Sequence, residues 1–293
     1  MASIAVCLTC YNRRETTLRC LRSLKRARLP ENFSLKVYLT DDASPDGTAE
    51  AVRHNFPDTV LLRGSGNLYW GGGMRLAFGA AMAAGHDFYI MVNDDVEFFP
   101  EAVVKLVETY RAVTEEGKKA ALTVGATCEP GTERMTYSGV GRSGISPNNF
   151  VKIPPHSSKP VECVTMNCNA VLIPADVAST TGNIDRRFTH GIGDFDYGLR
   201  AHRNGAKIWI CPGFVGMCKQ NSREAKWQSP RYSLRERIKY MNSPHGLPFG
   251  EYMTFTYRHG GVLGVVFALW GYRHVLFPVR RPATHFEPKR SMV

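Results

Sequence analysis

Apolar runs and amphipathic segments alternate along the first 128 residues of the chain. "SIAVCLTC" (residues 3–10) is a continuous apolar run of strand length, and "RRETTLRCLRSLKRARL" (13–29) follows with Leu18, Leu21 and Leu24 at near-helical spacing. Next come a strand at "LKVYLT" (35–40), a short helix after "SPDGT" (44–48) and a strand at "TVLLRG" (59–64). "MRLAFGAAMAAG" (74–85) reads as a helix whose small residues suit close packing on a sheet. "FYIMVN" (88–93) reads as a strand, "PEAVVKLVETYRAV" (100–113) as a helix with Pro100 near its first turn, and "AALTVGATC" (120–128) as a further strand. This order predicts an α/β fold, a Rossmann-like and mainly parallel sheet with helices on both faces. Residues 128–165, rich in Gly, Pro, Ser and Asn, read as loop, a flap over the site. Order returns with the apolar run "CVTMNCNAVLIPADV" (163–177) and with "GDFDYGLRAHRNG" (193–205), a helix with Asp in its first turn and Gly205 as its stop.

In open α/β sheets, ligands bind beyond the carboxyl ends of the strands. The first strand ends in "TCYNR", the second in "TDDASPDGT", the third in "RGSGNLYWGGG" and the fourth in "NDD". Adjacent carboxylates such as Asp94 and Asp95 repel, and burying one is costly without a compensating positive charge. Several carboxylates at one sheet edge therefore suggest a hard cation, Mg²⁺ or Mn²⁺, holding phosphates. Asp194 is a separate carboxylate, available as a general base, and Asp196 precedes Arg200 by the spacing of a helical ion pair. The glycines of "GNLYWGGGMR" serve either to cradle an anion with backbone N–H groups or to allow close packing. Asn67 and Trp70 in that segment are pocket candidates, as are Asn167, Asn169 and His190, each with an ordinary capping, core or edge-strand role as its alternative.

The ordered set "TCYNR", "TDDASPDGT", "NDD" and "GDFDYGLRAHRNGAKI" resembles the family 2 glycosyltransferases of the GT-A fold, and within them the bacterial rhamnosyltransferase-type members; the likeness spans roughly residues 3–215. The resemblance implies an inverting transferase that uses a nucleoside-diphosphate sugar, with a dTDP- or UDP-sugar favoured and L-rhamnose a candidate, and a divalent cation. The acceptor would be a glycan or lipid-linked chain in cell-surface polysaccharide or lipopolysaccharide assembly. By position, Thr9, Tyr11, Arg13, Asp41 and Asp42 fall where the family holds the nucleotide, Asp94 on the ribose side, Asp95 at the metal and Asp194 at the catalytic base. Two departures stand out. Gly193 replaces a common acidic neighbour of the base, and no His lies between His202 and His245 to serve as a later metal ligand.

Charge separates the chain into two portions. Of a net +11, residues 219–293 carry +9 through thirteen Lys/Arg against four Glu, while residues 31–218 carry −4. This divides a catalytic domain, 1–218, from a basic, partly helical extension, 219–293. Within the catalytic domain, residues 1–127 are expected to bind the nucleotide sugar and residues 128–218 to supply the acceptor side and the base. The extension holds the basic amphipathic segment "YSLRERIKYM" (232–241) and an apolar stretch from Gly261 to Tyr272 that is too short to span a bilayer. Peripheral attachment to an anionic membrane surface is expected, on the cytoplasmic face because "MASIAVCLTCYNRRE" lacks the features of a signal peptide. Eight cysteines in 293 residues do not make a disulfide scaffold, and Cys7 and Cys10 on one strand face opposite sides. Two other classes are disfavoured. A sugar nucleotidyltransferase would carry a Gly-rich loop with a catalytic basic residue after the first strand, which "TCYNRRE" lacks. A nucleic-acid-binding protein would interleave its basic residues with aromatics on one platform, whereas these avoid the acidic middle.

Overall fold

The computed structural model describes residues 1–115, 120–220 and 225–278. The chain divides into two compact units, Met1–Gln220 and Asn221–Val293. In the first, β1 (Ala2–Cys10), α1 (Arg14–Arg26), β2 (Phe33–Asp41), α2 (Thr48–Asn55), β3 (Val60–Arg63), α3 (Tyr69–Ala84) and β4 (Phe88–Val92) follow the alternation read from the sequence. They continue into β5 (Glu97–Phe98), α4 (Ala102–Glu115) and β6 (Ala121–Cys128). After four short strands, β7 (Met135–Tyr137), β8 (Gly139–Arg142), β9 (Phe150–Lys152) and β10 (Val161–Cys163), come β11 (Thr165–Met166), β12 (Ala170–Pro174), α5 (Ala175–Thr181), α6 (Gly193–Arg203) and β13 (Lys207–Met217).

The main sheet runs β10-β13-β6-β12-β4-β1-β2-β3. β1 to β4 pair in parallel, as do β6 and β13, and β12 lies antiparallel between β4 and β6. Each central strand is apolar on both sides because helices cover both faces. Met74, Phe78 and Tyr197 pack on one face of the sheet and Leu18, Leu21 and Leu106 on the other. Cys7 and Cys10 fall in opposite layers, and all eight cysteines are free and buried.

Residues 128–165 depart from the expected loop. β8 is flanked by β9 and β11 in a separate three-stranded antiparallel sheet, while β7 extends from β6 and β10 caps β13. Strands of three or four residues are too short to show a period, and their Gly and Pro content marks the turns between them.

In the second unit, α7 (Leu234–Met241) starts at a capping box in which Ser233 and Glu236 satisfy each other's backbone N–H groups. α8 (Phe249–Leu276) is interrupted at Gly261, with φ 59° and ψ −152°. The end of the basic extension, residues 279–293, lies outside the described residues.

Candidate functional site

The carboxyl ends of β1, β2 and β4 meet at one edge, as parallel pairing requires: Cys10 is opposite Asp41, and β1 lies between β2 and β4. Among the described residues, four of the five non-glycine positions with positive φ lie at the ligand edge: Asn12 after β1, Ala43 after β2, Tyr69 opening α3, and Ile192 before α6. Such conformations cost free energy and cluster where the chain must present side chains in one arrangement.

Arg13 sits at the centre. Its guanidinium reaches both members of the acidic pair, Nη1 to Asp94 Oδ1 and Nη2 to Asp95 Oδ2, each at 3.0 Å. Asp94 also accepts from Thr17 Oγ1 at 3.1 Å. Burial pushes the Asp94 carboxyl up to about 6 against the pull of Arg13, with the like charge of Asp95 adding to the rise. Asp94 is therefore buried and Asp95 half-buried against a positive group.

Asp41 and Asp42 are both buried and engaged by their own loops. Asp41 accepts from the Ser44 hydroxyl and backbone N–H. Asp42 binds the backbone N–H groups of Gly66 and Leu68, each at 2.7 Å, and of Tyr69 at 3.2 Å. It thereby fixes the segment that opens α3. Thr9 donates to the Thr40 carbonyl at 3.2 Å, while Tyr11 and Asn67 are exposed at the rim.

The glycines opening α3 decide between the two readings of "YWGGG". Gly71, Gly72 and Gly73 are all buried. A Cβ on Gly71 would overlap the Phe188 carbonyl and come 2.9 Å from that of Thr189, and one on Gly73 would overlap the Thr9 side chain. Gly71 also donates its N–H to the Thr189 carbonyl at 2.8 Å. These glycines permit close packing and do not form an open anion cradle. Trp70 bridges two regions of the site: its indole N–H donates to Asn93 Oδ1 at 2.9 Å, and its ring lies beside Gly193. His190 stands edge-on to Tyr69 with ring centroids 6.4 Å apart.

Asp194 lies in the first turn of α6 and accepts from the Phe195 N–H at 2.8 Å. The Cys168 N–H and the Asn167 amide also bond it, yet burial prevails and raises its carboxyl to about 6. Asn167 Oδ1 is buried without a partner. Asp196, two residues on, is fully buried and ion-paired to Arg200 at 2.7 Å, so it holds α6 in place. The antiparallel register of β12 with β4 sets Ala170 opposite Val92, which carries the Asn167–Asn169 segment to the edge where Asn93–Asp95 emerge. Asn169 is buried and donates to Cys218 Sγ at 3.6 Å, and that sulfur lies 3.4 Å from Asp95 Oδ1.

Cys218 is the residue that sequence reading missed. It follows β13, which pairs with β5 just beyond the acidic pair and with β6 on its other side, and these non-local pairings bring it there.

Among the described residues, no group of three or more His, Cys, Asp or Glu could hold a metal ion. Asp94 and Asp95 nonetheless offer hard oxygen donors, and Arg13 shows that the pair accommodates positive charge. One or two carboxylates suit Mg²⁺ or Mn²⁺ that takes its remaining ligands from phosphates and water. The residues fit a substrate-borne cation, not an all-protein metal cage.

Residues 5–138 match the model of the family Glycosyl transferase family 2. No curated protein sequence matches the chain. Among solved structures, the chain resembles S. aureus TarS 1-349 in complex with UDP-GlcNAc, with a TM-score of 0.52 and 14% identity over 94% of this chain and 82% of that one. A longer S. aureus TarS chain gives a TM-score of 0.52 at 13% identity over 87% of this chain, which spans 42% of that one. GalNAc-T7 with UDP, GalNAc and Mn²⁺ gives 0.55 at 13% identity over 93% of this chain and 54% of that one. At such identities the likeness defines the fold, which is the GT-A fold. The family match is confined to residues 5–138, somewhat less than half of the chain.

Proposed function

We propose that this chain is an inverting, divalent-cation-dependent glycosyltransferase that moves a sugar from a nucleoside-diphosphate donor to a hydroxyl of a glycan or lipid-linked acceptor. One observation carries the reading. The Asn167–Asn169 segment joins two carboxylate stations, touching Asp194 through Asn167 and Cys168 and Asp95 through Asn169 and Cys218.

Transfer needs both stations. An acceptor hydroxyl is a weak nucleophile, and Asp194 takes its proton as the oxygen attacks the anomeric carbon from the face opposite the leaving group. A carboxyl near 6 is deprotonated at neutral pH yet basic enough to accept that proton. The bond from the sugar to the diphosphate breaks as the new glycosidic bond forms, so a single displacement inverts the anomeric centre. Arg13, released from the acidic pair, faces the departing diphosphate. Asp95, beside Asp94, would hold a divalent cation, which would supply Lewis-acid stabilisation of the same charge. Asp42 acts by fixing the Gly66–Tyr69 backbone, and Tyr11 and Asn67 line the donor rim. Asn167, with an unpaired buried acceptor oxygen, suits a sugar or acceptor hydroxyl.

The family 2 match, and the binding of UDP-GlcNAc and UDP by structural relatives, support a nucleotide-sugar donor. We further propose a dTDP- or UDP-sugar, with L-rhamnose the sugar that the motif resemblance favours. The test is a thermal-shift panel of nucleoside diphosphates with Mn²⁺. The true base raises the melting temperature by mass action, about 2.7 kcal/mol at a hundredfold excess over Kd. A flat panel across all bases sinks the proposal.

A further inference from the structure

The break at Gly261 turns α8 back on itself. Its φ of 59° with ψ of −152° lies in a region open to glycine alone. The Tyr252 and Tyr272 rings lie 5.7 Å apart, whereas a straight helix would separate those positions by about 30 Å. Tyr272 also packs against Trp227 and Phe249 and donates to the Leu247 carbonyl at 2.9 Å, which fixes the inner side of the second arm. Gly264, Ala268 and Val275 of that arm are buried.

The opposite side is apolar as well. At about 100° per residue, Val262, Leu263, Val266, Leu269, Trp270 and Leu276 fall within one arc of about 140°, and each is at least 50% exposed. Arg273 sits mid-arc with its guanidinium 4.3 Å from the Trp270 ring centroid. A soluble face would carry polar residues there. The arm from Val262 to Leu276 is about 22 Å long, short of the roughly 30 Å of a bilayer core, and no described helix is long and apolar enough to cross a membrane.

We propose that this arc docks the chain on an anionic membrane surface, lying in the interface with Leu269 and Trp270 among the acyl chains and Arg273 among the headgroups. Charge selects this occupant. The arc holds Arg273 and no carboxylate, so a second copy of the same face would set like charges together, whereas anionic lipid complements it and the +9 of the extension's sequence. The proposal stands independently of the transferase reading.

The test is co-sedimentation of the full chain with vesicles of phosphatidylcholine, alone or with roughly one third phosphatidylglycerol. Two engaged basic side chains supply a preference of about thirtyfold for the anionic vesicles, and it weakens as salt rises. The double substitution Leu269→Glu/Trp270→Glu should cut binding at least about tenfold and leave the melting temperature unchanged, because both side chains are exposed. Equal binding to neutral vesicles, or unchanged binding by the double variant, overturns the proposal. So does a failure to bind vesicles accompanied by a concentration-dependent dimer that the double variant abolishes, which would assign the face to a second copy of the chain.

Discussion

Replacing Asp194 by Asn separates its chemical role from its structural one. The side chain keeps its size and can still accept from the Phe195 N–H, but it can no longer take a proton at neutral pH. Turnover should fall by about 10²- to 10⁴-fold, with the Kd for the nucleoside diphosphate unchanged, since Asp194 contacts Asn167 and Cys168 and not the acidic pair. The wild-type pH profile supplies the second half of the argument. With a carboxyl near 6, kcat/KM should fall about tenfold per pH unit on the acid side of that value, leaving about a tenth of the plateau at pH 5. The sign for stability runs the other way. Burial raises the folded-state value above the unfolded value near 4, so the stability Asp194 permits is complete below pH about 4 and is lost as pH rises through about 6. That loss amounts to at most about 3 kcal/mol, and Asn does not incur it. The Asn variant should therefore melt no lower than wild type at pH 7.5 while being nearly inactive. Steady-state rates with calorimetry across pH 4.5–8.5 test this directly. An active Asp194→Asn with an inactive but folded Asp196→Asn would place the base two residues on, and a flat acid limb would remove Asp194 from proton transfer.

Two further expectations concern the donor side. Asp95→Ala should abolish transfer and the Mn²⁺-dependent share of the nucleoside-diphosphate stabilisation, with the fold intact because Thr17 and Arg13 still hold Asp94; full turnover of this variant in EDTA would contradict the cation reading. Gly71→Ala should destabilise the chain by about 1–3 kcal/mol, read from the urea midpoint, because its methyl meets the Phe188 and Thr189 carbonyls. Unchanged stability with weakened diphosphate binding would instead restore the anion-cradle reading.

What could be read from sequence follows the range of the forces involved. β1 to β4 and the helices between them were legible because each strand's apolar run, the leucine spacing of α1 and the small residues of α3 are local consequences of burial on one sheet. That the acidic pair follows β4 and Asp194 opens α6 was legible because the ends of those elements were. The small sheet of β8, β9 and β11 was not legible, because pairing between residues far apart, and not the content of any three residues, makes those strands. Cys218 was hidden for the same reason. It reaches the acidic pair through the pairing of β13 with β5 and β6.

The glycines of "YWGGG" carry this further, because sequence stated the alternatives correctly but could not choose between them. A cradle and a close contact both require the absence of a Cβ, and only the position of the Phe188–Thr189 backbone separates the two. That backbone is turned by the Phe188 N–H bond to the Asp185 carbonyl, and shortly before it the Thr181 and Asn183 carbonyls accept from Arg200 of α6, itself paired with Asp196. The Gly71 contact thus couples the opening of α3 to the segment that leads into Asp194. Trp70 repeats the coupling from the next residue, bonding Asn93 on one side and packing at Gly193 on the other. The opening of α3 and the segment before α6 are therefore joined by packed groups, which suits the proposed reaction, in which proton removal and diphosphate departure must be aligned on one anomeric carbon.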